Sequence, residues 1–373
     1  MTLKIKAVAA KKDIKKFIFL PEKIHASHKT WVPPIYLDEW RYFNPQKNPA
    51  FKYCDTLLLL AFDGGIPVGR AMGIINHRHN SRKNERTARF ACLESHENIK
   101  VVHGLLTRIE DWAREKGMNK VIGPYGFSDQ DPEGFLIDGF EHRATIVTYH
   151  NFEWMPGFVV DHGYSKEIDY VVYRISVGRG IPEVFQKMKQ RILKRGNLEI
   201  LEARRKKDLK PWMKDAFRLL NESYVESEIF GFDVLDEKEV DDLIKRYLPI
   251  VDPRFVKGVK KGDELVGFVI GIPDITGGIQ KAGGRLFPFG FYKILRAGKK
   301  TRQFDLLLGA IKKEYRGLGA DILQITAMSA SLQKAGFELI DTHHQMETNK
   351  KMRAVFERLG EVYKRFRVYR KEI

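Results

Sequence analysis

The sequence predicts an α/β fold made of two related units, because the same order of elements occurs in each half. Each half contains two β-rich runs joined at a turn, Asp63-Gly64-Gly65 in the first half and Gly262-Asp263 in the second. Each half then continues with a segment of helical periodicity that a glycine closes, at Gly117 and at Gly336, before a short strand. These matching layouts favour a duplication.

The ends of the two halves also correspond. Each half finishes on a glycine followed by a β-rich run, and the offset is nearly constant: 197 residues from Gly163 to Gly360 and 196 from Tyr173 to Tyr369. The alternative is a chance similarity between two α/β layouts.

The composition indicates a globular protein of two domains. At 373 residues the chain exceeds the size at which one core usually divides, and we place the units at residues 1–175 and 176–373. No apolar run approaches the ~20 residues that cross a bilayer, and the start lacks a signal-peptide pattern, so we expect a cytoplasmic protein without a transmembrane segment. The net charge of +17 predicts an anionic partner, which leaves nucleic acid, an anionic lipid surface and a phosphorylated cofactor open.

Metal chemistry has no support in the sequence. Cys54 and Cys92 form no CxxC pair and lie in strand-like runs, which predicts reduced thiols. The acidic loop at Asp129, Asp131 and Glu133 lacks the ligand spacing of a calcium loop.

We expect this acidic loop to receive a cationic amine substrate, and a plain solvated turn is the alternative.

The stretch KKEYRGLGADIL, from Lys312 to Leu323, joins an apolar run at 302–311 to a helical pattern at 320–335. We expect a central strand buried on both faces, a glycine turn and a helix. Such a turn directs several backbone N–H groups and the positive end of a helix dipole to one point, which suits a phosphate. Neither GxxxxGK[ST] nor GxGxxG occurs there, so a simple turn that starts a helix remains the alternative.

With these motifs the chain resembles the GNAT acyltransferase superfamily, in which a strand leads into an Arg-Gly-x-Gly turn that binds acyl-coenzyme A. The matching pieces are Arg316-Gly317-Leu318-Gly319, Ala335-Gly336-Phe337, Asn349 and Leu359-Gly360. They cover about residues 250–373, and longer strings look like an uncharacterised bacterial family of tandem GNAT proteins that spans the whole chain. The resemblance implies two GNAT-like units, each a mixed, mostly antiparallel sheet flanked by helices.

The resemblance also implies a cofactor site in the second unit alone, since the stretch ESHENIKVV in the first unit has no glycine where the turn belongs. Acetyl-coenzyme A or another acyl-coenzyme A is the implied ligand. Its pantetheine arm would pair with the backbone of one strand, and its pyrophosphate would lie at the turn. The implied residues are Leu308, Gly309, Ala310, Ile311, Arg316, Gly317, Leu318, Gly319, Ala320 and Asn349. Asn349 has an alternative role as a helix cap.

The catalytic groups are less clear, because Phe356 stands where the superfamily often has a tyrosine acid. The candidates for proton transfer are Glu347, His343, His344 and Tyr363, with Asp305 in addition. If His343 and His344 lie on one strand, only one of them faces the cofactor. Glu347 has an alternative role at a helix start.

The segment GRLFPFGFYKILRAGKK mixes aromatic residues with cations, which is typical of a lipid-surface or acyl-chain contact. A helix packed over the sheet gives the same pattern.

The function expected from all of this is acyl transfer from acyl-coenzyme A to a small-molecule or peptide amine. Two alternatives stay open. One is a Fem-like aminoacyl transfer from tRNA, which the net charge of +17 would suit. The other is a non-catalytic protein that binds acyl-coenzyme A, which Phe356 would suit.

Overall fold

The computed structural model describes residues 3–248 and 251–373. The chain forms two compact units. Unit 1 consists of Met1–Val171, Ile275–Gly298 and Tyr363–Ile373, and unit 2 of Val172–Asp274 and Lys299–Val362. The boundary predicted after residue 175 falls inside a strand, four residues beyond the division at Val171.

Both units contain strands and helices. The strands are β1 (Leu3–Ala7), β2 (Cys54–Asp63), β3 (Ile66–Asn76), β4 (Thr87–Ser95), β5 (Lys120–Gly123), β6 (Phe135–Asp138), β7 (Ser165–Ser176), β8 (Glu199–Glu202), β9 (Val256–Lys261), β10 (Glu264–Pro273), β11 (Gln303–Ile311), β12 (Leu339–Asp341), β13 (Gln345–Met346) and β14 (Gly360–Glu372). The helices are α1 (Lys11–Ile24), α2 (Tyr36–Tyr42), α3 (His77–Lys83), α4 (Ile99–Glu115), α5 (Trp154–Asp161), α6 (Glu183–Arg195), α7 (Lys206–Glu226), α8 (Glu237–Tyr247), α9 (Thr276–Lys281), α10 (Gly290–Lys300), α11 (Ala320–Ala335) and α12 (Lys350–Phe356).

Unit 1 is a mixed sheet covered by helices on both faces. Its strands follow the order β1-β2-β3-β4-β5-β14, in which β4 and β5 pair in parallel and the other neighbours pair antiparallel. Adjacent residues of β2 point to opposite faces: Leu59 packs with Leu105 of α4, and Leu60 packs with Phe17 of α1.

Unit 2 repeats this plan. Its strands follow the order β7-β12-β11-β10-β9-β8, with β7 contributing its last residues, and only β11 and β12 pair in parallel. Leu265 of β10 packs with Leu219 of α7, whereas Val266 packs with Leu323 of α11. The predicted α/β fold of two mixed, mostly antiparallel sheets flanked by helices is confirmed.

Several predicted elements are found where the local pattern placed them. Both hairpins are present, as β2–β3 and β9–β10, and α11 coincides with the helical pattern at 320–335. The short strand predicted after Gly336 is β12, but it ends at Asp341, so His343 and His344 do not lie on it, and β13 is a separate two-residue strand. Over the residues that the structure describes, no helix combines the length and apolar character that a membrane span requires.

Candidate functional site

The split between β11 and β12 is the first feature of the candidate site. The two strands pair in parallel only where Gln303–Asp305 faces Leu339–Asp341. Beyond Asp305, β11 continues to Ile311 with β10 on its other side. Within the described ranges no strand pairs with Leu308–Ile311 on the side that β12 leaves. This half of β11 therefore presents open backbone groups to a ligand.

This opening corrects one expectation. The apolar run at 302–311 predicted a strand buried on both faces, but only Phe304, Asp305 and Ala310 are buried, and Gly309 is exposed. The apolar side chains of the second half pack on the helices instead, since Leu308 and Ala310 contact the cluster around Leu219 and Ile311 contacts the cluster around Leu323.

The glycine turn follows directly at the end of β11. Gly317 and Gly319 have φ values of 75° and 104°, in the left-handed region that favours glycine, and α11 begins at Ala320. In the described part of the chain, no protein group accepts a hydrogen bond from the backbone N–H of Gly317, Gly319 or Ala320. The N–H of Leu318 is engaged, since it donates to the carbonyl oxygen of Tyr315 at 3.2 Å. The turn thus offers unsatisfied donors at a helix N-terminus, which is the arrangement that binds phosphate groups.

A basic cleft of about 400 Å³ adjoins this turn. Side chains of α6 form one wall, and Gly317–Gly319 lie on the other. Arg191, Arg195 and Lys261 are among its lining residues, and no acidic side chain is among those the structure describes there. The charge of the cleft is therefore complementary to a phosphorylated ligand.

Arg316 has a different position from the one expected. Its Nε donates to the carbonyl oxygen of Ile311 at 3.0 Å, and its Nη2 donates to Ser223 Oγ at 2.8 Å. Glu226 lies 3.6 Å from the same guanidinium. Arg316 therefore ties the turn to the end of β11 and to α7, and its contact with a phosphate stays a prediction.

Comparison with known proteins gives the fold a name. No protein-family model matches the chain. A tandem GNAT protein from the clavulanic acid biosynthesis pathway has a TM-score of 0.55 at 13% identity, covering 100% of this chain and 98% of its own. A GCN5-related N-acetyltransferase from Sphaerobacter thermophilus has a TM-score of 0.52 at 11% identity, covering 99% of this chain and 95% of its own. The chain has a tandem GNAT fold.

Two curated proteins align with this chain over nearly its whole length. The bacterial ceramide synthase of Caulobacter vibrioides (strain NA1000 / CB15N) is 27% identical over 373 residues, which are 97% of this chain and 95% of its own. Protein YghO of Escherichia coli (strain K12) is 25% identical over 376 residues, which are 97% of this chain and 94% of its own.

In unit 1 the parallel pairing of β4 with β5 also covers three positions, Thr87–Arg89 with Lys120–Ile122, and side chains of the protein bond to nearby backbone groups. At the irregularity in β4, the N–H of Cys92 donates to the hydroxyl of Tyr149 at 3.2 Å. At the start of α4, Asn98 Oδ1 accepts from the N–H of Lys100 at 3.0 Å. A hollow of about 520 Å³ in unit 1 lies elsewhere, between α1 and the β2–β3 turn, and exposed lysines line much of it. These contacts support the assignment of the cofactor site to unit 2.

Two buried acidic residues of unit 2 lie where the pairing of β11 with β12 ends and the split begins. Asp305 and Asp341 are register partners at the last paired position of β11 and β12, and their exposed fractions are 0% and 1%. Gln303 Nε2 donates to Asp305 Oδ1 at 2.9 Å, and the N–H of His343 donates to Asp341 Oδ1 at 2.7 Å. Register partners in a parallel pair project to the same face of a sheet, so these two side chains share one side of the split.

His343 and His344 lie in the turn between β12 and β13, so the reasoning from strand alternation does not apply to them. His343 has a φ value of 56°, and the two ring centroids are 5.3 Å apart. Both rings therefore stay in the neighbourhood of Asp341.

Glu347 and Asn349 lie at the entry to α12. Asn349 Oδ1 accepts from the N–H of Met352 at 3.3 Å, which is the geometry of a helix cap. The carbonyl oxygen of Glu347 accepts from Arg353 Nη1 at 3.0 Å. The structure thus gives Asn349 the capping role that the sequence left open, and its contact with a cofactor stays a prediction.

Phe356 is nearly buried and packs against a tyrosine that the sequence did not indicate. The ring of Tyr173 lies 5.7 Å from that of Phe356. The Tyr173 hydroxyl donates to Glu357 Oε1 at 3.1 Å and accepts from Arg353 Nε at 3.2 Å. Burial raises the pKa of Tyr173, so this phenol stays protonated.

The remaining predicted residues belong to unit 1. The rings of Tyr363 and His142 pack in an edge-to-face arrangement, with ring centroids 4.9 Å apart. Asp131 Oδ2 accepts from the Tyr42 hydroxyl at 3.0 Å and from the N–H of Phe127 at 2.7 Å.

Glu133, in the same loop as Asp129, is also engaged within unit 1. Its Oε2 accepts from the Tyr170 hydroxyl at 3.1 Å. Burial raises the pKa of Glu133 to about 8, so this group is mostly uncharged at neutral pH. The loop is therefore an internally bonded structure rather than a solvated acidic turn, and amine binding by Asp129, Asp131 and Glu133 stays a prediction. Among the described residues, no cluster of side chains with metal-ligand chemistry occurs.

The sequence reasoning missed Arg191, Arg195 and Asp341. The spacing of four between the two arginines places them on one helical face, and that signal was available. Nothing in the sequence pairs Asp341 with Asp305, because the register of a parallel pair is not a local property.

Proposed function

We propose that this protein transfers an acyl group from an acyl-coenzyme A to a primary amine, with the coenzyme held by unit 2. One observation carries the proposal: free backbone donors at Gly317, Gly319 and Ala320 lie at the end of a strand whose adjoining edge is open. The turn suits the pyrophosphate, and the edge at Leu308–Ile311 suits the amide groups of the pantetheine arm. In the GNAT fold these two features serve that ligand together.

The basic cleft adds charge complementarity. Arg191, Arg195 and Lys261 lie beside the turn, and a coenzyme A molecule carries several negative charges on its phosphates. The residues that would contact the phosphates of the coenzyme come from three parts of unit 2: α6, the end of β9 and the glycine turn.

The finer proposal concerns the two substrates. The relative at 27% identity is named a bacterial ceramide synthase, and a ceramide is an amide of a fatty acid with a long-chain amino alcohol. We propose that this chain likewise acylates the amine of a long-chain amino alcohol. A fatty acyl group then replaces the acetyl group that the GNAT resemblance alone suggests.

The chemistry requires one bond to form and one to break. The amine nitrogen bonds to the thioester carbonyl carbon, the carbon–sulfur bond breaks, and the coenzyme leaves as a thiolate. The amine must first lose a proton. The structure adds Asp341 to the candidates His343, His344, Glu347 and Asp305, because Asp341 is the register partner of Asp305 at the closed end of the split. Tyr363, in unit 1, remains a further candidate.

Departure of the coenzyme A thiolate needs little assistance from a proton donor. A thiol is far more acidic than an alcohol or an amine, with a pKa of about 8.5 for the cysteine side chain, so a thiolate leaves without full protonation in the transition state. The phenyl ring at Phe356 is therefore compatible with acyl transfer, although it donates no proton.

Product analysis tests this function. Purified protein is incubated with acetyl- or palmitoyl-coenzyme A and with a long-chain 2-amino alcohol, a short amino alcohol or a polyamine. Free thiol is followed by colorimetry and the amide by mass spectrometry. We expect thiol release and amide formation with the palmitoyl donor and the long-chain amine. Thiol release with only the short substrates would contradict the substrate proposal.

The two alternatives give different results in the same system. Retention of acyl-coenzyme A without thiol release for any amine would indicate a non-catalytic binding protein. A Fem-like activity predicts binding of tRNA that weakens steeply as salt rises, because it depends on the net charge of +17, whereas binding in a pocket responds far less.

A further inference from the structure

An exposed aromatic surface lies on the segment from Phe287 to Leu295. The exposed fractions of five apolar side chains there are 76% for Phe287, 72% for Phe289, 51% for Phe291, 57% for Tyr292 and 56% for Leu295. Apolar residues exposed singly are ordinary, but five within nine positions form a patch that usually marks an interaction site. The sequence left a helix packed over a sheet as one explanation, and that explanation covers only Gly290 and Ile294, which are buried.

The segment is firmly held on unit 1. Arg285 makes a two-fold ion pair with Glu22, with both N–O distances 2.9 Å. The N–H of Tyr36 donates to the carbonyl oxygen of Gly284 at 3.0 Å. A Cβ on Gly278 would lie 2.6 Å from Cα of Ile294, so α9 and α10 pack closely. The aromatic side chains are thus presented on a fixed support.

The charged residues of the segment itself all have positive sign. Between Asp274 and Asp305 the sequence has seven lysine and arginine residues and no acidic residue. On α10 the cations Lys293, Arg296, Lys299 and Lys300 are all exposed. This combination matches a surface that offers both hydrocarbon and negative charge.

We propose that the segment Arg285–Lys300 docks on the surface of a lipid bilayer that contains anionic lipids. The aromatic rings enter the boundary between headgroups and acyl chains, and the cations of α10 contact lipid phosphates. In a symmetric dimer formed through this face, the α10 cations of one copy would lie against the α10 cations of the other. Their electrostatic repulsion opposes self-association through this face. The proposal does not depend on the acyltransferase function, although it would place that activity where long-chain substrates dissolve.

Vesicle co-sedimentation of the full chain tests the proposal. The vesicles contain phosphatidylcholine alone or phosphatidylcholine with about 30% phosphatidylglycerol, since anionic headgroups supply the electrostatic part of binding. We expect the protein to bind the mixed vesicles, and more weakly as salt rises or when phosphatidylglycerol is omitted.

Two double variants separate the contributions. Phe287→Ser with Phe289→Ser should lower the vesicle partition coefficient at least about tenfold, because two exposed rings lose their transfer from water. Arg296→Glu with Lys300→Glu should lower binding to the mixed vesicles and leave binding to phosphatidylcholine alone unchanged.

Matched controls change the same chemistry elsewhere. Ile66→Ser removes an apolar side chain that is 67% exposed in unit 1, and Lys47→Glu with Lys52→Glu reverses two exposed charges. Both should bind vesicles like the unmodified protein, and thermal unfolding should show that every variant is folded. Two results would overturn the proposal. One is equal binding by the aromatic double variant. The other is light scattering that shows an oligomer which this variant dissociates, without vesicle binding by the unmodified chain.

Discussion

At the scale of single residues, the site depends on which polar groups are already in use. Arg316, the cation that the sequence places next to the glycine turn, bonds to Ile311 and Ser223 and so fixes the turn. Arg191 and Arg195 on α6 line the adjacent cleft and are exposed. Arg316 therefore has a structural role at the turn, and we expect Arg191 and Arg195 to add contacts with the ligand.

Substitution of these arginines separates the two roles. Arg195→Ala should weaken coenzyme A binding about tenfold without lowering the unfolding temperature, since it removes one charge-assisted contact. Arg316→Ala should cost about 1–3 kcal/mol of stability, because it leaves buried partners unsatisfied. Calorimetric titration and thermal unfolding measure the two effects. If Arg316→Ala removed binding at unchanged stability, Arg316 would be the direct phosphate contact.

The buried carboxyl of Glu133 makes the stability of unit 1 depend on pH. Its pKa is raised from 4.5 to about 8, so the stability it contributes is present below its unfolded pKa and is lost as pH rises through about 8. Glu39, whose pKa burial raises to about 7, titrates in the same window, so only a difference between variants isolates Glu133. Burial lowers the pKa values of His28 and His150 to about 4. The stability of the protein that depends on these two neutral histidines is therefore lost as pH falls, not as it rises.

Glu133→Gln keeps an acceptor for the Tyr170 hydroxyl and removes the titration. Between pH of about 5 and about 8, the unmodified protein should lose stability relative to this variant by on the order of 2 kcal/mol. Thermal unfolding across this range is the measurement. Parallel curves would show that Glu133 is ionised in the folded state.

At the scale of elements, α6 and α11 form the cleft through one close contact. A Cβ on Gly319 would lie 2.3 Å from Cδ1 of Ile192, so glycine is required both for its φ of 104° and for the approach of α6. Gly319→Ala should cost about 1–3 kcal/mol. Adding Ile192→Ala should recover the steric part, so the double variant should be more stable than the sum of the two single changes predicts. Simple additivity in thermal unfolding would mean that α6 does not pack on the turn.

Local patterns predicted the elements well and their pairing poorly. α11 lies where its apolar spacing and its terminal glycines put it, because those signals act within one helix. The open half of β11 was predicted as buried, since the sequence does not show that β12 stops after three residues. The same limit explains why the turn at His343 and the partnership of Asp305 with Asp341 were not predicted.

At the scale of the whole molecule, the C-terminal segment belongs to the first unit. Tyr369–Glu372 of β14 pairs with β5, and Tyr369 is buried in the core of unit 1. A chain that ends at residue 175 would therefore leave β5 with an unpaired edge and a gap in the core. We expect residues 1–175 alone to be unfolded or aggregated, as judged by circular dichroism and light scattering. A cooperative, monomeric fold of that fragment would contradict the assignment of Tyr363–Ile373 to unit 1.

At this scale we propose that the glycine turn of unit 2 holds the diphosphate of coenzyme A. Calorimetric titration of two glycine variants with coenzyme A is the measurement for this proposal. Gly317→Glu places bulk and negative charge at the open side of the turn, where an added Cβ would meet no described atom within 4 Å. Gly336→Glu is the matched control, because Gly336 has a similar φ of 80° and equally open space at the other end of α11. We expect both variants to fold with a similar loss of stability and only Gly317→Glu to lose coenzyme A binding. Unchanged affinity in Gly317→Glu, or equal loss in both variants, would contradict the proposal.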